Sequence, residues 1–174
     1  MLWILFLPLY DESMKNIKIE IKWALIFVLM MLAWMFLEKS MGWHDEKIAD
    51  HATMTNLVAI PSVAIYLFAL LDKRKNFYNG VMSYYQGFMS GLIITIIVAV
   101  LSPLSQYITS EFITPDYFTN VINYAVEKGE MTREDAESYF NLKSYIIQSV
   151  AGALIMGIAT SAVVAVLVKS TSKK

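Results

Sequence analysis

The side chains best suited to chemistry in this sequence are the imidazoles and carboxylates that follow its first apolar segment. His44, Asp45 and Glu46 are followed by Asp50 and His51, and imidazole and carboxylate groups are common ligands of Zn²⁺. The two histidines are seven residues apart, which is two turns or about 10.5 Å if the segment is helical. Because a zinc–nitrogen bond is only about 2.0–2.1 Å long, one helix cannot bring both imidazoles to one ion. The spacing therefore favours a solvated, capped helix over a metal site, and we expect neither a metal nor a cofactor.

The remaining sequence lacks the motifs of known catalytic centres. The whole chain contains no Cys, and its two His are His44 and His51; the lack of Cys excludes thiol nucleophiles, disulfides and Cys-ligated zinc. No H-E-x-x-H sequence, Ser–His–Asp nucleophile set, phosphate-binding Gly loop or dinucleotide fingerprint occurs. The formal net charge of −1 excludes a basic nucleic-acid binder. We therefore predict that the protein is not an enzyme and binds no nucleic acid.

A second group of polar or helix-breaking residues lies near one end of the apolar segments, on the side expected to face outward. Proline removes a helical hydrogen bond and can open a kink or cavity. One interpretation is a shallow, outward-facing polar pocket that binds a small ligand. The other, which we favour, is a set of hydrogen bonds between helices near the membrane interface. The group consists of Glu38, Pro61, Ser62, Pro103, Gln106, Gln148 and Ser149.

Four apolar segments must position these side chains. Hydrophobic residues make up 57% of the 174 residues and charged residues 17%, whereas soluble domains have about 45–50% and about 25%. A membrane-spanning helix needs about 20 mostly apolar residues. We therefore predict an all-α integral membrane protein, a single four-helix membrane domain over residues 14–170, with spans at about 21–42, 54–71, 87–109 and 144–168.

The charges between these spans predict their orientation. Nine of the 14 Lys and Arg residues lie before the first span, between the second and third, or after the fourth. Eleven of the 15 Asp and Glu residues lie on the other side. Because cytoplasmic flanks are rich in Lys and Arg, both termini are expected to be cytoplasmic. No ionisable residue lies in the middle of a span, which argues against a proton-driven transporter or a pump.

Small residues recur at every fourth position along the third and fourth spans. Helices in lipid associate by close packing through small residues. We infer that these two helices pack against each other or form a symmetric dimer seam. The stripes are Gly87, Gly91, Thr95 and Ala99 in the third span, and Ser149, Ala153, Gly157 and Ser161 in the fourth.

The loop between the second and third spans contains Asn79-Gly80 among aromatic residues. This dipeptide is a strong hairpin-turn signal when strand-forming residues flank it. We therefore expect a small β-hairpin at the cytoplasmic interface, with a flexible loop as the alternative.

The loop over residues 110–143 is the largest polar segment. Thr114-Pro115-Asp116 is typical of a helix start, and Gly129 of a helix end. An amphipathic helix is therefore expected between them, lying on the outer membrane surface or capping the bundle, with partner docking as the alternative. A capping pattern at Thr132 and Asp135 starts a second helix that could continue into the fourth span.

Residues 1–13 fit no familiar targeting class. Their apolar run ends at Pro8 and is too short to span a membrane, and the basic region and cleavage site of a signal peptide are absent. We interpret them as an extra segment upstream of a start at Met14, with a short interfacial anchor as the alternative. Residues 171–174 form a basic tail.

Several segments resemble an uncharacterised bacterial membrane-protein family catalogued as domain of unknown function 4199. They are GWHDEKIADHATMTNL, LLDKRKNFYNGVMSYYQGFMSGLIIT and VLSPLSQYI, and the resemblance covers roughly residues 14–170. It implies a small multi-span protein of the inner membrane, of a kind found mostly in Bacteroidetes-type bacteria. No activity or functional residue is established for the family, so none is carried over.

Three functions remain open from the sequence. The favoured one is a non-enzymatic interaction or accessory subunit of a complex in the bacterial inner membrane, because the chain is small and has no catalytic set. The alternatives are a small oligomeric transporter or channel and a ligand sensor with an outward-facing polar pocket. Its expected partners are the lipid bilayer and either a second copy of itself or another membrane protein.

Overall fold

A computed structural model describes residues 17–170, and every regular element within that range is helical. The helices are α1 (Lys18–Ser40), α2 (Ile48–Met54), α3 (Ala59–Asn76), α4 (Tyr84–Ile108), α5 (Tyr117–Glu127), α6 (Arg133–Tyr139) and α7 (Leu142–Val168). A 3₁₀ turn at Thr55–Val58 joins α2 to α3, and a π turn at Thr109–Ile113 extends α4. The expected extra segment 1–13, the start at Met14 and the basic tail lie outside the described residues.

Four helices in this part of the chain are long and apolar enough to cross a membrane. They are Lys18–Ser40, Ile48–Asn76, Tyr84–Ile113 and Leu142–Val168. This confirms the predicted all-helical fold with four candidate spanning helices. Helix α3, which forms most of the second candidate span, continues past residue 71 to Asn76. It therefore carries basic residues that the sequence pattern predicts for the following loop. Pro61 lies in the first turn of α3, and Pro103 lies inside α4.

Helices α4 and α7 make the most extensive contact in the bundle. A Cβ atom added to Gly91 would lie 2.6 Å from the Ser161 Oγ, and one added to Gly157 would lie 2.5 Å from the Thr95 Cγ2. Glycine is therefore needed at both positions for the helices to approach this closely. Tyr66 on α3 joins this layer, because its hydroxyl lies 2.8 Å from the Thr95 Oγ1.

The rest of the two small-residue stripes follows the same helix faces. Gly87 lies against Ala165, and Ala99 is buried. Ala153 packs against the core, whereas Ser149 donates a hydrogen bond to its own helix. The glycines of the two stripes are thus used at an interface within one chain.

The segment between α3 and α4 is a turn, and the predicted β-hairpin is wrong. Asn79 and Gly80 have φ angles of 51° and 89°, so the turn signal itself falls at the right residues. No strand occurs within residues 17–170, because only residues 77–83 separate the two helices. The backbone oxygen of Met82 instead accepts a hydrogen bond from the Ser170 N–H at 2.9 Å.

Helices α5 and α6 form the polar segment between α4 and α7. The residues that α5 buries are Tyr117, Val121 and Ala125, which share one face of the helix. The expected continuation of α6 into the fourth span is wrong. Helix α6 ends at Tyr139, and the Asn141 side chain then caps α7, which starts a separate helix.

Candidate metal centre

A turn over residues 41–47 separates α1 from α2 and brings the two histidines together. Gly42 has a φ angle of +78°, and its carbonyl oxygen accepts a hydrogen bond from the Lys47 N–H at 2.7 Å. The ring centroids of His44 and His51 are consequently only 5.0 Å apart. The expectation of a continuous helix through both histidines is therefore wrong, and so is the two-turn separation that excluded a shared ion.

Both imidazoles face the carboxylate of Glu38, at the end of α1. The His44 Nε2 lies 2.9 Å from the Glu38 Oε2, and the His51 Nε2 lies 3.4 Å from the same oxygen. One potential ligand atom from each of the three residues lies within 4.8 Å of the others. Tetrahedral zinc with bonds of 2.0–2.1 Å has its ligand atoms about 3.3 Å apart. The two nitrogen–oxygen distances are therefore near the separation of zinc ligands, and the third pair of atoms is no more than 4.8 Å apart.

The cluster is enclosed by protein. Glu38 is fully buried, His44 is 5% exposed and the His51 side chain is 20% exposed. A buried carboxylate requires hydrogen-bond donors or a cation. The Trp34 Nε1–H, one helical turn earlier on α1, donates to the Glu38 Oε1, and Thr55 also hydrogen-bonds the carboxylate. These contacts fix the orientation of Glu38, with its Oε2 directed toward the imidazoles.

Helix α5 covers the cluster and contacts both histidines. The Tyr117 hydroxyl lies 3.3 Å from the His51 Nδ1 and 3.2 Å from the Tyr145 hydroxyl on α7. The Asn120 Nδ2 donates to the backbone oxygen of His44 at 3.0 Å. Burial, reinforced by Tyr145 and the Glu38 carboxylate, raises the pKa of the Tyr117 phenol far above its usual value. Tyr117 is therefore a neutral hydroxyl that can donate one hydrogen bond and accept others.

The two imidazoles are held in different ways. The Nδ1 of His51 meets the Tyr117 hydroxyl, whereas the buried Nδ1 of His44 has no hydrogen-bond partner among residues 17–170. The ring of His44 lies 5.1 Å from the Tyr117 ring, centroid to centroid. Its position depends on this packing and on its backbone bond to Asn120, while His51 is oriented through its ring nitrogen.

The three side chains form the donor set of a borderline transition metal. Two imidazole nitrogens and one carboxylate oxygen are a known zinc ligand set that leaves a fourth position for water or another ligand. Calcium and magnesium prefer oxygen ligands alone, so the nitrogen donors favour Zn²⁺ and similar ions. The neutral Tyr117 beyond His51 corresponds to the outer partner that metal-bound histidines usually have.

Of the outward polar group predicted from the sequence, only Glu38 belongs to this centre. Ser62 and Ser149 donate to the backbone oxygens of Val58 and Ile146 in their own segments. These bonds satisfy the two hydroxyls locally and connect no second helix.

The two glutamines of that group are also used away from the centre. The Gln106 Nε2 donates to the Ser110 hydroxyl at 3.1 Å, and the exposed Gln148 accepts a hydrogen bond from the Tyr139 hydroxyl at 3.4 Å. Gln148 lines an open groove between the turn at residues 129–132, α6 and the start of α7. The polar group thus does not converge on one pocket in the described part of the chain.

One signal for the metal centre was present in the sequence. Gly42 follows the last residues of the apolar segment, which is where a helix-ending glycine is expected. A break at that point allows His44 to fold back toward Glu38, six residues earlier. No local pattern indicates that Tyr117, which lies 66 residues after His51, completes the site.

Residues 17–170 have the fold of a membrane protein, with four helices able to cross the bilayer. The chain belongs to the family described as "Protein of unknown function (DUF4199)", which matches residues 22–170 and confirms the resemblance noted from the sequence. No curated protein matches the chain, and no solved structure matches it. The family description assigns no activity, so the function must be argued from the site.

Proposed function

We propose that this protein binds a divalent transition-metal ion of the zinc class at one face of the membrane and acts as a metal-responsive, non-enzymatic subunit. The observation that carries the proposal is the meeting of Glu38, His44 and His51 at one buried point. This joins two functions expected from the sequence, a ligand sensor and an accessory subunit. Its ligand is an ion rather than a small molecule in an open pocket.

The transporter alternative is less well supported. The metal centre lies at one end of the bundle, where α1 and α2 meet. Between the two ends, Gly91 on α4 packs against Ser161 on α7, and Gly157 on α7 packs against Thr95 on α4. An ion bound at Glu38 would meet this packed layer, which favours binding at one face over passage through a single chain.

The site can be tested by zinc titration of the purified protein in nanodiscs after removal of metal with a chelator. We expect one zinc ion per chain. Glu38→Gln and His51→Ala each remove one ligand and should weaken binding by more than about 100-fold, since even outer-shell partners contribute about 10–100-fold. Glu46→Gln is the matched control, because Glu46 is an exposed carboxylate in the same turn. Absence of zinc binding by the wild type, or an equal loss in Glu46→Gln, would contradict the proposal.

The proposal places the protein in a bacterial inner membrane, with both termini in the cytoplasm and the metal centre facing outward. The excess of Lys and Arg on the terminal side supports this orientation. Because the chain has no Cys, single cysteines can be introduced at the exposed positions Asn76 and Glu130. An impermeant maleimide added to intact cells should label Glu130→Cys and not Asn76→Cys. The reverse pattern would invert the orientation.

The accessory role has its own test. Gentle extraction from the native membrane followed by intact-mass measurement should give a complex with a defined second polypeptide. A homo-oligomer with nothing else bound would remove the accessory role and leave metal binding in place.

A further inference from the structure

Helix α5 covers the metal centre through polar contacts with two of its ligand residues. The Tyr117 hydroxyl meets the His51 Nδ1, and the Asn120 side chain binds the backbone oxygen of His44. Tyr117 is 8% exposed and also contacts Tyr145, which lies on α7. A change in the protonation or ligation of the His51 imidazole therefore acts directly on its contact with the Tyr117 hydroxyl.

The metal-free arrangement fixes the direction of this contact. A neutral imidazole has one N–H and one free lone pair. A carboxylate only accepts hydrogen bonds, so a neutral His51 carries its proton on the Nε2 that faces Glu38. The His51 Nδ1 is then an acceptor, and the Tyr117 hydroxyl donates to it.

Zinc must reverse that direction. A metal ion on the His51 Nε2 takes the lone pair of that nitrogen, so the imidazole proton moves to Nδ1, with no net gain or loss of protons by the neutral ring. The Nδ1–H then donates to the Tyr117 oxygen, and the Tyr117 proton turns to the Tyr145 oxygen 3.2 Å away. A metal-bound imidazole is a stronger donor than a free one, because the cation withdraws charge from the ring.

We propose that Tyr117 is a positioning residue for zinc binding, whose oxygen accepts the Nδ1–H of metal-bound His51 and so orients that imidazole, and that zinc binding in turn tightens the docking of α5 on the bundle. This inference rests on the proposed function. The docking of α5 would then differ between the zinc-bound and the zinc-free protein, and this difference would be visible at the protein surface.

The test compares wild type, Tyr117→Phe and a matched control, Tyr124→Phe, which lies on the same helix beside Lys128 and away from the centre. Phenylalanine keeps the ring that packs against both imidazoles and removes only the hydroxyl. Tyr117→Phe should weaken zinc binding roughly 10–100-fold, as loss of an outer-shell partner does. Tyr124→Phe should bind zinc as the wild type does.

Two further measurements separate positioning from a general structural effect. Nitrogen NMR of ¹⁵N-histidine-labelled protein, which has only two His, should show the His51 proton moving from Nε2 to Nδ1 when zinc is added. Hydrogen exchange of the amides in residues 117–127 should slow on zinc addition in the wild type and not in Tyr117→Phe. Asn120→Ala should speed exchange in α5 and leave the His51 tautomer unchanged, because its bond goes to the backbone.

The outcomes distinguish the two proposals. If the wild type binds zinc but Tyr117→Phe binds equally well, or if exchange in α5 is insensitive to zinc, the role of Tyr117 is overturned while the metal site stands. If the wild type binds no zinc, both are overturned.

Discussion

Helix α1 carries a buried carboxylate near each of its ends, and the two are satisfied in different ways. Glu20 is 1% exposed, lies 2.9 Å from the Lys73 Nζ and accepts a hydrogen bond from the Ser90 hydroxyl at 2.7 Å. Glu38 is fully buried and faces His44 and His51 instead. The same residue type on the same helix thus meets an ammonium at one end and two imidazoles at the other.

The difference between the partners decides what each site can bind. An ammonium has three N–H donors and no lone pair, so Lys73 closes the Glu20 site against a cation. A neutral imidazole keeps one lone pair, so the Glu38 site offers the donor atoms that the proposed metal binding needs once its histidines turn their lone pairs inward. A buried carboxylate therefore indicates a candidate metal centre only when its partners are themselves potential ligands.

The largest expected effect is at the Glu20 end. Lys73→Met leaves the Glu20 carboxylate buried without its cation, and the free energy of unfolding should fall by about 3–5 kcal/mol. The double variant Glu20→Gln/Lys73→Met removes both charges and should recover most of this loss. Denaturant unfolding in mixed micelles, followed by circular dichroism, measures both. A single variant as stable as the wild type would show that the pair does not hold α1 to α3.

The next effect sharpens the contrast between the ends. Free zinc at 100 times its dissociation constant should stabilise the wild type by about 2.7 kcal/mol, because zinc binds only the folded chain. Glu38→Gln should lose this increment, whereas Glu20→Gln/Lys73→Met should keep it. The same unfolding experiment with and without zinc measures the difference. Loss of the increment in the Glu20 variant would mean that the two ends are coupled.

A smaller effect is expected in the layer between the two ends. An Ala side chain at Gly91 meets the Ser161 Cβ at 2.7 Å as well as its hydroxyl, so α4 and α7 must separate. Overpacking of this kind costs about 1–3 kcal/mol. Gly152→Ala on α7 is the matched control, because its Cβ would meet nothing within 4 Å, and it should not destabilise. If both variants were equally stable, the close contact between α4 and α7 would not contribute to stability as proposed.

The smallest effect is expected at the exposed Gln148. Its partner is Tyr139, at the surface and outside the metal centre. Gln148→Leu should change the free energy of unfolding and the free energy of zinc binding by no more than about 0.5 kcal/mol. A large loss of zinc affinity in this variant would indicate that Gln148 and Glu38 belong to one outward-facing polar pocket. Zinc titration and denaturant unfolding of the same preparation test both quantities.

Much of the fold was predictable because it depends on local properties. The four candidate spans follow from the length of apolar segments. Thr132 begins α6 because its hydroxyl reaches the backbone N–H of Asp135 three residues later, a distance that a short motif encodes. The turn at Asn79 and Gly80 was predictable for the same reason, although the strands around it were not, since α3 continues to Asn76.

The proposed metal centre was only partly predictable. Glu38 and both histidines are identifiable as potential ligands by residue type, but one continuous helix would place the two histidines two turns apart. Gly42, with a φ angle of 78°, lies just after the end of α1 and starts the turn that contains His44. The ion pair between Glu20 and Lys73 was not predictable in the same way, because the sequence pattern places Lys73 in the loop after the second span. Helix α3 is longer than that pattern predicts and carries Lys73 into the bundle.

Local sequence patterns are sufficient to predict four helices able to cross a membrane within residues 17–170, and the positions at which small residues allow them to approach. Those features arise from contacts within a few residues of each other along the chain. The groups that face each buried carboxylate, by contrast, are selected by how the helices pack in three dimensions. Lys73 reaches Glu20 across 53 residues, and Tyr117 reaches His51 across 66. Such pairings depend on helix length, helix rotation and the geometry of the turns between helices, which no single segment encodes.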